Sequence, residues 1–396
     1  MKLLFVADGR SAIALNWIGY FVEQGAEVHL VSTFPCRPAL ELDSLHVLDV
    51  AFSGLKGENR GNPGRTRAPG PWGSSTIRLR TALRQWLGPL TLRRAAERLA
   101  EISARVKPDL VHAMRIPYEG MLAAQAWLEQ PLLVSVWGND FTLHAPSTPL
   151  MARLTRRTLQ AAGALHADCR RDVRLARAWG FPAGRPAAVL PGAGGVQTGI
   201  FYPGNHEEPE GGEGCYTVIN PRGFRAYARS DTFFRSLPLV LEKAPGTRFV
   251  CPGMAGENQA RAWVKELGLE RSVELLPQVS RPEMAALFRR AQVAVSPTTH
   301  DGTPNTLLEA MACGCLPVAG DLESLREWIT PGVNGLLVDP GDPHSLAEGI
   351  LLGLTAPDLR AQAARINLEL VAERAEHGRV MAQAEEFYRD LLNIRP

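Results

Sequence analysis

The stretch Ser296-Pro-Thr-Thr-His-Asp-Gly-Thr-Pro-Asn-Thr-Leu-Leu-Glu-Ala-Met-Ala-Cys-Gly-Cys-Leu-Pro-Val-Ala-Gly-Asp321 decides the fold class. The apolar run Val293 to Ser296 leads into it as a strand. A turn-rich loop carries Asp301, a helix opens at Asn305 or Thr306 and holds Glu309, and Leu316 to Ala319 reads as the next strand. Strand, loop, helix, strand is the unit from which parallel sheets are built.

Outward from this unit the same alternation fills the chain. Tyr216 to Asn220, Arg248 to Cys251, Val273 to Leu276 and Gly335 to Val338 are further strands of the same series, with helices such as Pro282 to Arg290 between them. Upstream, a separate series runs through Leu3 to Ala7, a helix over Ala12 to Gln24, and Glu27 to Ser32. It continues through Leu110 to Ala113, a helix from about Tyr118 to Glu129, Leu132 to Val136, Ala164 to Ala167 and Ala187 to Leu190. Gly204 to Gly214 is polar, acidic and rich in Gly, and separates the two series as a linker or surface loop. The expectation is an α/β protein of two Rossmann-like, doubly wound domains facing a cleft, with ligand at the carboxyl ends of the strands. Residues 1–203 form the first domain, 204–214 the linker, 215–380 the second domain, and 381–396 a C-terminal amphipathic helix.

Composition agrees with that reading and excludes others. The chain has 396 residues, enough for two or three domains, and its 45% hydrophobic and 21% charged residues fit neither disorder nor a membrane-embedded body. No apolar run approaches the ~20 residues of a membrane span, and the N-terminal apolar run is too short for a signal peptide. The six cysteines are spread thinly, which suits free thiols in a reducing compartment, so cytoplasmic residence is expected. Net charge is +2, divided unevenly: the first 200 residues carry 24 basic and 15 acidic side chains, the rest 19 and 26. Residues 55 to 75 read as a mobile excursion. Segment 77–107, with eight basic residues against Glu97 and Glu101, is either an ordinary domain helix with a solvated face or one that lies on an anionic membrane or grips a phosphate-bearing acceptor. No nucleic-acid partner is expected. There is no Asp-x-Asp and no His/Cys/carboxylate cluster with ligand spacing, so neither metal nor other cofactor is expected. No G-x-G-x-x-G follows a strand, which disfavours a dinucleotide oxidoreductase.

In the loop itself, the free amides of Asn305 and Thr306 at a helix start form an anion site suited to a diphosphate. Asp301 can reach what hangs beyond the phosphates, and Glu309 can accept hydrogen bonds from a ribose diol. On structure alone, Glu309 would complement the helix dipole and Asp301 would form a turn.

The Asp301-x7-Glu309 pattern resembles the acidic-x7-acidic region of the retaining GT-B glycosyltransferases of family 4, which move a sugar from a nucleotide diphosphate. The resemblance implies that Asp301 touches the donor sugar, that Pro304, Asn305 and Thr306 hold the diphosphate, and that Glu309 holds the ribose. It makes Arg222 and Arg229 the cations on the leaving diphosphate, with Arg225 as a rival for Arg222. Gly253, Gln278 and Val279 fall where the family cradles the base, and Gly9 in the turn facing the phosphates. Val134-Ser-Val-Trp-Gly-Asn-Asp140 resembles a His-Gly-x-Asp turn, with Trp137 in place of the His; Asp140 and the nearby His112 and His144 become candidate acceptor or donor-sugar contacts. Trp137 can stack on a sugar but cannot exchange protons, so the leaving phosphate would take the acceptor proton. The family's last helix crosses back to the first domain. The partners implied are a nucleotide sugar, with UDP or GDP as the nucleotide, and a glycan, lipid or small-molecule acceptor. Two other readings are a sugar-nucleotide epimerase of similar build and a nonenzymatic nucleotide-sugar binder.

Overall fold

The computed structural model describes residues 1–51, 86–204 and 215–393. The excursion at 55–75, residues 77–85 of the basic segment and nearly all of the 204–214 linker lie outside the described residues. The chain divides into two compact units, Met1–Gly194 with Val380–Pro396, and Gly195–Arg379.

In the first unit the strands are β1 (Lys2–Ala7), β2 (Glu27–Ser32), β3 (Ser44–Val47), β4 (Leu110–Ala113), β5 (Leu132–Val136), β6 (Ala164–Ala167) and β7 (Ala187–Val189). The order across the sheet is β3-β2-β1-β4-β5-β6-β7, every pairing parallel. The apolar runs of β1, β4, β5 and β6 are buried on both faces, as strands covered by helices on both sides must be. Those helices are α1 (Ala12–Glu23), α2 (Leu92–Val106), the short α3 (Met121–Gln125), α4 (Pro149–Ala161) and α5 (Arg170–Ala178). The Ser11 side chain caps α1 by accepting from the Ala14 amide, which sets its start immediately after β1.

The second unit holds β8 (Thr217–Ile219), β9 (Arg248–Cys251), β10 (Val273–Leu275), β11 (Val293–Ser296), β12 (Leu316–Gly320) and β13 (Leu336–Val338), ordered β10-β9-β8-β11-β12-β13 and again all parallel. Its helices are α6 (Ser230–Lys243), α7 (Asn258–Glu266), α8 (Arg281–Arg290), α9 (Asn305–Ala312), α10 (Pro343–Thr355) and α11 (Pro357–Arg374). The last helix, α12 (His377–Asn393), belongs to the first unit from Val380 onward.

Three expectations need correction. The helix from Tyr118 to Glu129 shrinks to the five residues of α3. Pro117 sits at ψ 122°, Tyr118 has φ 69° and ψ −57°, and Trp127 has φ 50°, so the backbone leaves the helical region at both ends. Strand β3 went unread because its residues alternate half-buried and exposed at the sheet edge, leaving no apolar run. The first unit ends at Gly194 rather than at residue 203. Val196 bridges to Glu376, and Phe201 packs on Phe288, whose ring centroid lies 6.3 Å away, which commits this segment to the second unit's core.

Helix α2 settles part of the basic segment. Leu92, Ala95, Ala96, Leu99 and Ile102 are buried in the first unit's core, so the helix spends its apolar face on the domain and leaves the arginines solvated. Among the described residues no helix is long and apolar enough to cross a membrane.

A buried polar chain ties α12 to the first sheet. Trp17 Nε1 donates to Tyr388 Oη at 2.9 Å, and Tyr388 Oη meets His112 Nδ1. His112 Nε2 lies 2.7 Å from Ser135 Oγ, Ser135 Oγ 2.8 Å from His166 Nδ1, and His166 Nε2 2.9 Å from the Leu190 carbonyl. A carbonyl only accepts, so His166 donates through Nε2 and accepts from Ser135 at Nδ1. The same logic then makes Ser135 accept from His112 and Tyr388 donate to it. Every direction is fixed with both imidazoles neutral. Burial pushes both pKa values down, His166 to about 4 and His112 well below its usual range.

Candidate functional site

In the second sheet the strand order reverses between β8 and β11, and the loops leaving their carboxyl ends open the crevice where doubly wound sheets bind ligands. Asn220 follows β8 and Ser296 ends β11. Beyond Ser296 the loop is pinned at three points: the Thr299 amide donates to the Tyr227 carbonyl at 2.9 Å, Ser324 Oγ to the Asp301 carbonyl at 2.8 Å, and Trp328 Nε1 to Thr303 Oγ1 at 2.9 Å. This rigid loop delivers Asp301 and the start of α9. The N-cap of α9 is Pro304, whose side chain has no hydrogen-bond acceptor and makes no capping bond, which leaves the amides of Asn305 and Thr306 uncapped by it at the positive end of the helix dipole.

Arg222 organises the crevice. Its Nη2 lies 2.6 Å from Asp301 Oδ2 and its Nη1 3.2 Å from Thr306 Oγ1, with 11% of the Arg222 side chain and 16% of the Asp301 side chain exposed. Arg225 is exposed and donates to Tyr227 Oη at 2.7 Å, so of the two it is Arg222 that meets the head of α9. Five buried polar atoms here have no hydrogen-bond partner: Asn220 Nδ2, Arg222 Nε, Ser296 Oγ, Thr298 Oγ1 and Asn305 Oδ1. Buried groups of this kind are ordinarily satisfied, and five around one strand crossover mark a place built to receive polar atoms.

Arg229 begins α6 in a left-handed conformation, φ 47°, and holds Asp231 through Nε at 2.9 Å and Nη2 at 3.0 Å. These bonds keep the Asp231 carboxyl below its usual range. Glu309 lies one turn into α9 with 14% of its side chain exposed, and Arg281 Nη2 stands 3.5 Å from its Oε1. Burial raises the Glu309 pKa to about 7, with Arg281 pulling the other way. Gly253, at φ 76°, donates its amide to the Pro277 carbonyl at 3.0 Å, and a Cβ there would lie 3.8 Å from Gly223 Cα. The loops after β8, β9 and β10 therefore meet at one end of the sheet, with Gln278 exposed and Val279 half-buried beside them.

In the first unit a cavity of 370 Å³ opens at the carboxyl ends of β1 and β4. Trp137 and His144 line it, together with Asp8, Arg10, Phe34, Arg115, Tyr118 and Glu119. Two expected contacts fall away. His112 sits in the buried chain with both ring nitrogens engaged, so it does not reach the cavity. Asp140 is 0% exposed; it accepts from Arg115 Nε at 2.9 Å, the Trp137 amide at 3.1 Å and the Ile116 amide at 3.3 Å, and so shapes the turn behind the cavity. Gly9 serves packing rather than phosphate: its amide donates to Ser32 Oγ at 3.0 Å, and a Cβ would collide with Cys36 Sγ and Ser32 Oγ.

Sequence spacing also missed one carboxylate-thiol group. Asp168, Cys169 and Asp172 bring potential ligand atoms within 4.8 Å of one another. Arg171 Nη2 lies 2.8 Å from Asp172 Oδ1, and burial drives the Cys169 thiol far up, which leaves it protonated. Arg171 and Asp172 thus form an ion pair beside the buried Cys169 thiol, with Asp168 next to them. Arg281, Arg115 and Glu119 were missed as well. For Arg281 there was a signal: Ser280 and Glu283 form a capping box that starts α8 at Arg281, at the end of the sheet that holds the site.

Comparison with known proteins places this geometry. Residues 9–192 match the family model described as glycosyl transferase 4-like domain, and residues 222–355 that described as glycosyl transferases group 1. A D-inositol 3-phosphate glycosyltransferase of Thermobifida fusca is 28% identical over 204 residues, 47% of this chain and 46% of the relative. One of Mycobacterium avium is 32% identical over 127 residues, 31% of this chain and 30% of the relative. The match thus spans less than half the length of these curated relatives. Among solved structures, sucrose-phosphate synthase of Thermosynechococcus elongatus aligns over 100% of both chains with a TM-score of 0.75 at 16% identity. Anabaena HepE, solved with UDP and glucose, aligns over 98% of this chain and 100% of its own with a TM-score of 0.70 at 16% identity. The chain belongs to the group 1, family 4-like glycosyltransferases, and its two parallel-sheet units are those of the GT-B fold.

Proposed function

We propose that the protein transfers a glycosyl unit from a nucleotide diphosphate sugar to an acceptor hydroxyl, with retention at the anomeric carbon and without a metal ion. The observation that carries this reading is the cluster of five unpartnered buried polar atoms around Arg222 and the start of α9. It has the donor and acceptor groups that a nucleoside diphosphate would satisfy, and it lies where the strand order reverses. HepE, with the same fold, was solved with UDP and with UDP-glucose, which supports a UDP-sugar donor here.

In the proposed step the acceptor oxygen attacks the anomeric carbon from the face the leaving group departs. The bond from that carbon to the diphosphate oxygen breaks with its electron pair going to the diphosphate. The acceptor proton passes to a departing phosphate oxygen, and the new glycosidic bond forms. Trp137 offers no proton acceptor, so the phosphate takes that role. Arg222, Arg229 and the first amides of α9 stabilise the charge as it develops, a contribution of the size that preorganised donors make elsewhere. Both arginines carry a carboxylate in the free protein, Asp301 and Asp231, so donor binding exchanges partners around cations that stay paired. Glu309 accepts from the ribose hydroxyls.

The test is to incubate the purified protein with UDP-, GDP-, ADP- and dTDP-sugars, with and without EDTA, and to follow nucleotide release. Slow release of one nucleotide, unchanged by EDTA, is expected. Loss of release in EDTA overturns metal independence, and absence of binding to any nucleotide overturns the donor site. Once an acceptor is in hand, the anomeric configuration of the product tests retention.

A further inference from the structure

Among the described residues, the helices that cover the first sheet carry opposite charge on its two faces. On one face α2, α3 and α4 share a core, in which Leu99, Leu122 and Leu154 join Val111 and Val134. On the other, α1 and α12 bring Trp17, Ile18 and Tyr388 to Phe5 and Leu133. Toward solvent α2 turns four arginines and two glutamates, and α4 three arginines with no acid. The opposite layer has the reverse balance: α1, with α12 from Val380 onward, holds Glu23, Glu385, Glu386 and Asp390 against Arg389. Residues 52–85, outside the described ones, carry by sequence seven basic side chains against Glu58, so they do not offset the charge of the α2 and α4 face.

Large apolar side chains stand in water on the same basic face. Trp127 is 90% exposed, and the 2.9 Å bond from Ser103 Oγ to Gln130 Oε1 sets the turn that carries it against the last turn of α2, where Arg105 and Lys107 are exposed. At the other end, Trp86 and Leu90 are 60% and 68% exposed just ahead of α2. The 15 residues of α2 span ~22 Å, so the helix offers its cations between two apolar ends. Trp127 serves the fold poorly. It buries almost none of its ring, and its φ of 50° is one that glycine adopts freely and a residue with a side chain adopts at a cost. An indole held out of the core beside arginines suits the surface of a bilayer, where guanidinium groups meet phosphates and indoles settle among the headgroups.

We propose that the α2 and α4 face docks the first unit on an anionic lipid bilayer, with Trp127 as its anchor. The apolar stripe of α2 is spent on the core, so the helix does not sink into lipid as a free amphipathic helix does. Attachment instead adds contacts between guanidinium and phosphate over two helices of one layer, and gains the burial of Trp127. A planar partner reaches cations on both helices at once, which a ligand bound in a pocket does not. The face of α1 and α12, of opposite sign, stays in water. Contacts of this kind are reversible and screened by salt. The proposal does not depend on glycosyl transfer, and its test uses no nucleotide.

The experiment floats the full chain on vesicles of phosphatidylcholine alone and of phosphatidylcholine with three parts in ten phosphatidylglycerol, from about 0.1 M to about 1 M NaCl, over which the Debye length falls from ~10 Å to ~3 Å. The expected result is binding at least tenfold tighter to the anionic vesicles at low salt, lost at high salt. Arg94→Glu with Arg98→Glu on α2, and Arg153→Glu with Arg157→Glu on α4, each weaken it tenfold or more. Arg365→Glu with Arg389→Glu makes the same change in net charge on exposed side chains of α11 and α12 and leaves binding within twofold of the parent. Trp127→Gly weakens it at least threefold while the urea midpoint stays at or above that of the parent, which separates docking from folding and covers an arginine variant that does not fold. Equal binding to the two vesicle types overturns the proposal, as does an equal loss in the α11 and α12 variant or undiminished binding by Trp127→Gly. Tighter binding to a single-stranded oligonucleotide than to the anionic vesicles assigns the face to nucleic acid and overturns it too.

Discussion

The two units use one sheet topology and treat the polar side chains of its central strands in opposite ways. In both, the strand order reverses beside the first strand of the unit, β1 against β4 and β8 against β11. In the first unit the polar side chains buried on β4, β5 and β6 are closed into a chain that runs from Trp17 through Tyr388, His112, Ser135 and His166 to the Leu190 carbonyl. In the second, the side chains at the ends of β8 and β11 leave atoms unpartnered. A closed network fixes structure and rejects competitors. An open one spends stability to keep donors and acceptors waiting for a ligand. The difference shows that parallel order alone does not make a binding site; what decides is whether the chain supplies the last partner itself, as α12 does with Tyr388.

The largest effect expected from this contrast is catalytic. Arg222→Ala removes the cation that joins Asp301 to the head of α9, and turnover of the nucleotide sugar should fall ~10²–10³-fold, the range for loss of one preorganised charge-stabilising donor. Initial rates with the donor found by nucleotide release check it. A rate within threefold of the parent protein would mean that the unpartnered cluster is not where the leaving group is held.

The counterpart in the first unit is Tyr388→Phe. The ring still stacks on Phe21, where the centroids lie 4.7 Å apart at 10°, but Trp17 Nε1 and His112 Nδ1 lose their partner. Two orphaned buried groups cost about 2–4 kcal/mol of stability, read from urea unfolding. Turnover of the remaining folded protein should be unchanged. If the variant were slowed yet equally stable, the closed chain would be part of the chemistry and the contrast between the units would fail.

Much of this was legible in the residues, for reasons that differ by element. Strands buried on both faces announce themselves as unbroken apolar runs, and β2, β4, β5, β6, β9 and β11 fall where those runs do. β3 alternates at an edge and gives no such run, and α3 is cut short by Tyr118, whose left-handed backbone no propensity argument would assign to a tyrosine. In the site, Asp301, Asn305, Thr306 and Glu309 lie in one short stretch and could be read together. Arg222 needed the resemblance, because it stands 79 positions from Asp301 in the chain and only the fold brings the two together. Glu119 and Arg115 carry no motif at all: their roles arise from Thr33 and Asp140, partners brought close by β2 and β5.

The pH responses of the units should also run in opposite directions. The folded-state pKa of His166 is lowered to about 4, so its contribution to stability is complete above the unfolded value near 6.5 and is lost as pH falls through 4. That amounts to about 3 kcal/mol, and His112 acts with the same sign. Glu309, raised to about 7, stabilises below its unfolded value near 4.5 and ceases to as pH rises through 7, because the ionised form is costly where it is buried. Urea unfolding followed at each pH should show the first unit weakening in acid and the second weakening between pH 5 and 8. A ligand that pairs with the Glu309 carboxylate reverses the second trend, so UDP should bind more tightly as pH rises through 7. A flat affinity from pH 5.5 to 8.5 would remove Glu309 from the ribose site.

The smallest effect sharpens that last point and concerns Arg281, 3.5 Å from Glu309 and partly exposed. Its positive charge pulls the Glu309 pKa down against burial, while its guanidinium also lies 5.3 Å from the Phe201 ring centroid. Arg281→Met keeps much of the side-chain packing and removes the charge. Glu309 then ionises at higher pH, so UDP affinity at pH 7 should fall severalfold, while the midpoint of its pH dependence moves up and the affinity above pH 8.5 approaches that of the parent. Recovery at high pH distinguishes this from a direct contact between Arg281 and the nucleotide, whose loss would lower affinity equally at every pH. If the weakening is uniform, Arg281 binds phosphate or base itself, and the second unit's open cluster extends from β8 and β11 to the first turn of α8.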